Sequence, residues 1–117
     1  MQYMLFIYDD EREWLGLSEA EREAVYGEYR ALAGELSEDG RLIGGHELRP
    51  TATAKSVRVR NGGTLVTDGP FAETKEQLGG YFLVEAASSD EALEIAARIP
   101  AARNGTIEVR PVVERST

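Results

Sequence analysis

Two segments of this chain, Tyr3-Met4-Leu5-Phe6-Ile7-Tyr8 and Tyr81-Phe82-Leu83-Val84-Glu85-Ala86, are too densely apolar to be ordinary surface strands. A strand with one wet face alternates apolar and polar residues, whereas a strand covered on both faces reads as a near-continuous apolar run. The rest of the chain offers two helical patterns. Two helices can cover one face of a four- or five-stranded sheet, and nothing is left for the other. A bare face of that kind exceeds the apolar patch that a monomer usually tolerates. A second copy packed sheet to sheet would bury about 600–800 Å² per partner, worth several kcal/mol net of association costs. The expectation is therefore a homodimer.

The elements run strand, helix, strand, hairpin, strand, helix, strand. The first helix starts at Ser18, whose spacing to Glu21 fits a capping box, and carries Val25, Tyr29, Leu32 and Leu36 at helical spacing before Gly40 stops it. Tyr26 and Ala33 widen that stripe, so both Tyr26 and Tyr29 are expected in the core. Asp9 to Leu17 reads as a connection anchored by Trp14 and Leu17. Arg41 to Leu48 reads as a strand with Leu42, Gly44, His46 and Leu48 on one face. Residues 56–60 and 64–67 flank Asn61-Gly62-Gly63, a tight-hairpin signal, with Val57 and Val59 on the apolar side and Arg58 and Arg60 on the wet side. Asp68 to Gly80 reads as a loop. Residues 88–99 read as the second helix, with a possible box from Ser88 to Glu91 and a face of Leu93, Ala96 and Ala97. Thr106 to Val113 alternates as the last strand. This is an α+β chain with the ferredoxin-like split β-α-β order and an inserted hairpin.

All 117 residues fit one domain. The chain has no cysteine, so it holds no disulfide, no thiol nucleophile and no Cys-ligated metal; its one histidine, His46, excludes a multi-histidine site within one chain. A net charge of −8 opposes nucleic acid as a partner. The first apolar run is too short to span a bilayer and lacks the basic flank of a signal peptide, so no membrane partner and a cytoplasmic location are expected.

The densest local chemistry lies at Asp68-Gly69-Pro70-Phe71, followed by Glu73, Lys75, Glu76 and Gly79-Gly80-Tyr81. Asp68 can hold the turn by accepting backbone amides, and Pro70 forces Gly69 out of helical geometry. Phe71 is expected to tuck under the loop. Gly79 and Gly80 allow close approach or a positive φ. A metal site from Asp68, Glu73 and Glu76 lacks any calcium-loop pattern, and no metal or cofactor is expected.

The stretch from Gly62 to Glu85, with that core and exit, resembles the signature of the YCII-related, or DGPF-domain, family. The opening strand, the first helix, the Arg49-Pro50-Thr51-Ala52-Thr53-Ala54 connector and Ser89-Asp90-Glu91-Ala92 also fit it. The resemblance implies a ferredoxin-like domain that dimerises into an α+β barrel. Some members are encoded beside alternative sigma factors, which implies a regulatory or stress setting. In the shorter YCII-like branch a helix histidine pairs with an aspartate of the motif loop. Asp68 matches that aspartate, but the first helix here carries Tyr26, Tyr29 and Arg30 and no histidine.

Three functions follow as expectations. The first is binding of a small molecule in a cleft between sheet and motif loop, with Arg49, Arg58, Phe71, Glu76 and Tyr81 as candidate contacts and the two arginines suited to an anion. The second is a hydrolase or lyase using Asp68 and His46 as an acid–base pair. The third is a dimeric interaction module with no ligand.

Overall fold

A computed structural model describes residues 1–115. Strand β1 (Gln2–Asp9) is followed by helices α1 (Glu11–Leu15) and α2 (Glu19–Glu38), strand β2 (Leu42–Glu47) and a 3-10 turn at Thr51–Thr53. Strands β3 (Lys55–Arg60) and β4 (Gly63–Asp68) form the hairpin. Strand β5 (Gln77–Glu85), helix α3 (Ser89–Ala97), a second 3-10 turn at Pro100–Arg103 and strand β6 (Thr106–Pro111) complete the chain. The class is α+β, with antiparallel sheets and three helices. Four strands form one sheet in the order β2-β5-β1-β6, and the hairpin stands as a separate two-stranded sheet.

The two apolar runs occupy the sheet centre, β1 paired with β5 from Gln2–Glu85 to Asp9–Gln77. Period-two alternation divides β1 between two faces. Tyr3, Leu5 and Ile7 enter the core with Leu32 and Leu36 of α2 and Ala92, Ile95 and Ala96 of α3. Met4, Phe6, Tyr81 and Leu83 turn to the opposite face, belong to no part of that core and are half-buried by one another. Arg110 of β6 lies over the Phe6 ring at 5.8 Å.

The capping box of α2 forms as the spacing requires: Glu21 N–H donates to Ser18 Oγ at 3.1 Å and Ser18 N–H to Glu21 Oε1 at 2.8 Å. At α3 only half of the box forms, because the Glu91 carboxylate accepts from Ala87 N–H rather than from Ser88.

Several expectations are corrected. The connection from Asp9 to Leu17 contains α1, capped by Asp10, whose carboxylate accepts Arg12 N–H at 2.9 Å; five residues are too few for a periodic signal. The loop after β4 is shorter than expected, since β5 already begins at Gln77. The buried seam of α3 is Ala92, Ile95, Ala96 and then Ile99, while Leu93 and Ala97 face out. A bulge at Ile43 breaks the alternation of β2, so Leu42 packs towards the core whereas His46, opposite Tyr81, faces the other way. Phe71 is 81% exposed and tucks under nothing. Asp68 does not hold its turn through amides but pairs with Lys55 Nζ at 2.6 Å. Among the described residues no helix is long and apolar enough to cross a membrane.

Candidate functional site

A cleft of about 720 Å³ opens where α1, α2 and the 3-10 turn at Pro100–Arg103 overhang the ends of β1, β2 and β5. Its walls are aromatic. Trp14 meets Tyr26 edge to face at 5.3 Å between ring centroids, and Tyr29 meets Phe82 in the same way at 6.2 Å. The short helix α1 brings Trp14 to this wall. Its Glu11 fastens the cleft mouth, accepting Thr51 N–H at 3.1 Å and the Thr51 hydroxyl, while Glu11 N–H donates to Gln77 Oε1 at 3.0 Å.

Asp9 closes the core-facing stripe of β1, two residues after Ile7, and lines the cleft. The register of β1 and β5 shifts between Ile7 and Tyr8, leaving Gly79 as the unmatched residue beside it. The Asp9 carboxylate is half-buried and has no hydrogen-bond partner among the described residues. Burial raises its pKa above 3.8, and the nearby carboxylates of Glu76, Glu13, Asp10 and Glu11 push it the same way. Across the cleft, burial pushes the Tyr29 phenol up to about 12. Burial and the acceptor Glu47, reached at 2.9 Å, raise that of Tyr26. Both phenols therefore stay protonated donors.

This shift fixes the sign of a pH effect. Asp9 binds its proton more tightly folded than unfolded, so its contribution is fully present below pH 3.8 and disappears as pH rises through the folded value. Asp9→Asn should therefore be more stable than wild type near neutrality. Urea midpoints between about pH 4 and pH 7 should fall less steeply for the variant. Parallel curves for the two proteins would contradict the burial of this group.

The residues singled out in the sequence separate into three places. His46 and Tyr81 meet towards the open sheet face, where His46 Nδ1 lies 2.8 Å from the Tyr81 hydroxyl, and both also line the cleft. Arg49 borders the cleft, and Glu76 stands beside Asp9, its Oε1 accepting the Thr106 hydroxyl at 2.9 Å. Asp68 and Arg58 belong to the hairpin, and Phe71 follows its base. Asp68 and His46 have different partners and share no hydrogen bond among the described residues. Gly80, buried, permits a close approach: a Cβ there would lie 2.8 Å from the His46 carbonyl oxygen. Neither Gly79 nor Gly80 adopts positive φ. No group of three or more acidic or histidine side chains is placed to hold a metal ion among the described residues.

Sequence reasoning missed Asp9, Tyr26 and Glu47 as cleft groups. For Asp9 a signal existed: Tyr3, Leu5, Ile7 and Asp9 share one face, so a carboxylate ends a core-facing stripe. Tyr26 pairs with Glu47 across two elements, and no local pattern reports that.

The model of the YCII-related domain matches residues 1–116. An uncharacterised protein of Rhizobium meliloti (strain 1021) is 41% identical over 114 residues, which cover 96% of this chain and 92% of the relative. With its sequence matched almost end to end on both counts, the chain belongs to the YCII-related domain family.

Proposed function

We propose that this protein binds a small organic cation, an aromatic or alicyclic amine, in the cleft beneath α2. The observation that carries this reading is Asp9, a half-buried carboxylate without a hydrogen-bond partner among the described residues, beside aromatic walls. An ammonium group there relieves the repulsion from Glu76, Glu13, Asp10 and Glu11, while its hydrocarbon part lies against Trp14, Tyr29 and Phe82. Two of the cleft's arginines are already engaged, Arg30 with Glu23 and Arg103 with Glu28. That leaves Arg49 as the contact for a carboxylate if the ligand carries one.

The test is a thermal-shift series with phenethylamine and phenylacetate, which share a ring and differ in charge, followed by Trp14 fluorescence. An amine at a hundredfold its dissociation constant adds about 2.7 kcal/mol of stability, and Asp9→Asn should abolish most of that gain. Stabilisation by the acid alone, or an equal response from the variant, would refute the cationic reading. The acid–base reading draws no support from within one protomer, where Asp68 and His46 are engaged elsewhere.

The same proposal takes the chain as one ferredoxin-like domain that pairs through its open sheet face. In support, the order β2-β5-β1-β6 makes both helical crossovers skip one strand. The protomer exposes 8121 Å², whereas a compact monomer of 12.9 kDa exposes about 6300 Å². Its radius of gyration is 16.3 Å against about 13 Å for a compact chain of this length.

A further inference from the structure

The hairpin β3–β4 stands apart from the body of the protomer. It pairs only with itself, and every residue in its two strands is exposed except Ser56. A lone two-stranded ribbon is marginal in water. This one is nevertheless fully specified. Asn61 and Gly62 adopt φ of 52° and 75°, the values a two-residue hairpin turn needs. Its base is tied by Gly69 N–H to the Ala54 carbonyl at 2.7 Å and by Ser56 Oγ to the Gly69 carbonyl at 2.9 Å.

The register then gathers an apolar face. Val57 lies opposite Val66, and Val59, two residues along, shares their side; the three are 62%, 58% and 61% exposed. Charge is divided just as sharply. Lys55, Arg58 and Arg60 against Asp68 give residues 55–68 a charge of +2, which leaves −10 on the remainder of a chain whose total is −8. The surface in excess of a compact monomer is about 1800 Å², roughly twice the 800 Å² per partner of a standard interface, and the exposed hairpin contributes to it.

We propose that the hairpin is an arm that lies, valine face down, on the acidic body of a second copy of this chain, with the partner's arm returning the contact. This rests on the self-association reading above and adds to it a second, separable contact. With the valines down, Arg58 and Arg60 lie on the ribbon's outer side. Their attraction to the acidic body of a like chain therefore acts at longer range through the thin ribbon, and a shared two-fold axis makes each arm contact count twice.

The test is sedimentation velocity, with hydrogen exchange of the hairpin amides, on the whole chain. Val57→Asp combined with Val66→Asp changes side chains already exposed in the protomer, and should weaken association by at least about a hundredfold. Arg58→Glu with Arg60→Glu keeps the valines and should also weaken it, an effect shrinking as salt rises. Wild-type hairpin amides should exchange more slowly in the dimer than in protein diluted to monomer. A dimer of unchanged affinity in both double variants, with equally fast exchange, would overturn the arm while leaving the sheet contact intact. In that case Phe6→Asp would still split the dimer. A wild-type chain that stays monomeric at tens of micromolar would overturn both.

Discussion

Gly105→Ala should cost about 3 kcal/mol of stability and lower the melting temperature by on the order of 10 °C at fixed protein concentration. Gly105 is the turn residue before β6, with its N–H donating to the Ala101 carbonyl at 2.7 Å. There it passes so close to β1 that a Cβ would lie 2.1 Å from the Tyr8 carbonyl oxygen, 2.9 Å from Asp9 Cβ and 3.0 Å from Asp9 Cα. Two of these three atoms are backbone, so no rotamer change relieves the clash. The strands themselves must part, and the Tyr8–Thr106 pairing is the first to be lost. Because the same displacement moves Asp9, amine binding should weaken together with stability. Gly79→Ala is the control, since its nearest neighbour, Asp9 Oδ1, would be 3.6 Å away, an ordinary contact. Chemical denaturation of the two variants side by side would decide the matter. Equal, small losses would mean that Gly105 does not hold β6 against Asp9.

Leu5→Ala should lose about 3–4 kcal/mol, from the methyl groups removed and the cavity left between sheet and helices. Leu5 is fully buried at the middle of the central strand, opposite Phe82 of β5 and Val109 of β6, in a core shared with Leu36 and Ile95. Strands on both sides limit how far the site can collapse. Phe6→Ala, one residue along on the open face, should behave in the opposite sense. It should change the unfolding midpoint little at concentrations where the protomer is alone, and weaken self-association when measured by sedimentation. If Leu5→Ala unfolded as wild type, the division of β1 into a core face and an open face would be wrong.

Much of the fold was legible because its signals are local. The Ser18–Glu21 box, the stripe from Val25 to Leu36, the Asn61-Gly62 turn and the two apolar runs each lie within a few residues of one another, and each formed where the spacing put it. The misses were made by single residues. One bulged position, Ile43, separated Leu42 from His46, and an aspartate cap started the five-residue α1 without any periodic stripe. The candidate site was less legible. The most unusual sequence, Asp68-Gly69-Pro70-Phe71, drew attention to the hairpin base, whereas the cleft is built from Asp9, Trp14, Tyr26 and Tyr29, none of them in that motif.

By itself, the sequence determined the order of the strands and the two longer helices, the family, and the presence of apolar sheet surface beyond what those helices can cover. These depend on side-chain periodicity and turn chemistry along the chain. Only the tertiary structure decided that the hairpin leaves the main sheet, that Asp68 and His46 part company, and that Asp9 faces aromatic rings. Those outcomes depend on which distant segments come together, and a carboxylate's chemistry is set by the neighbours that exclude water from it rather than by the residues on either side.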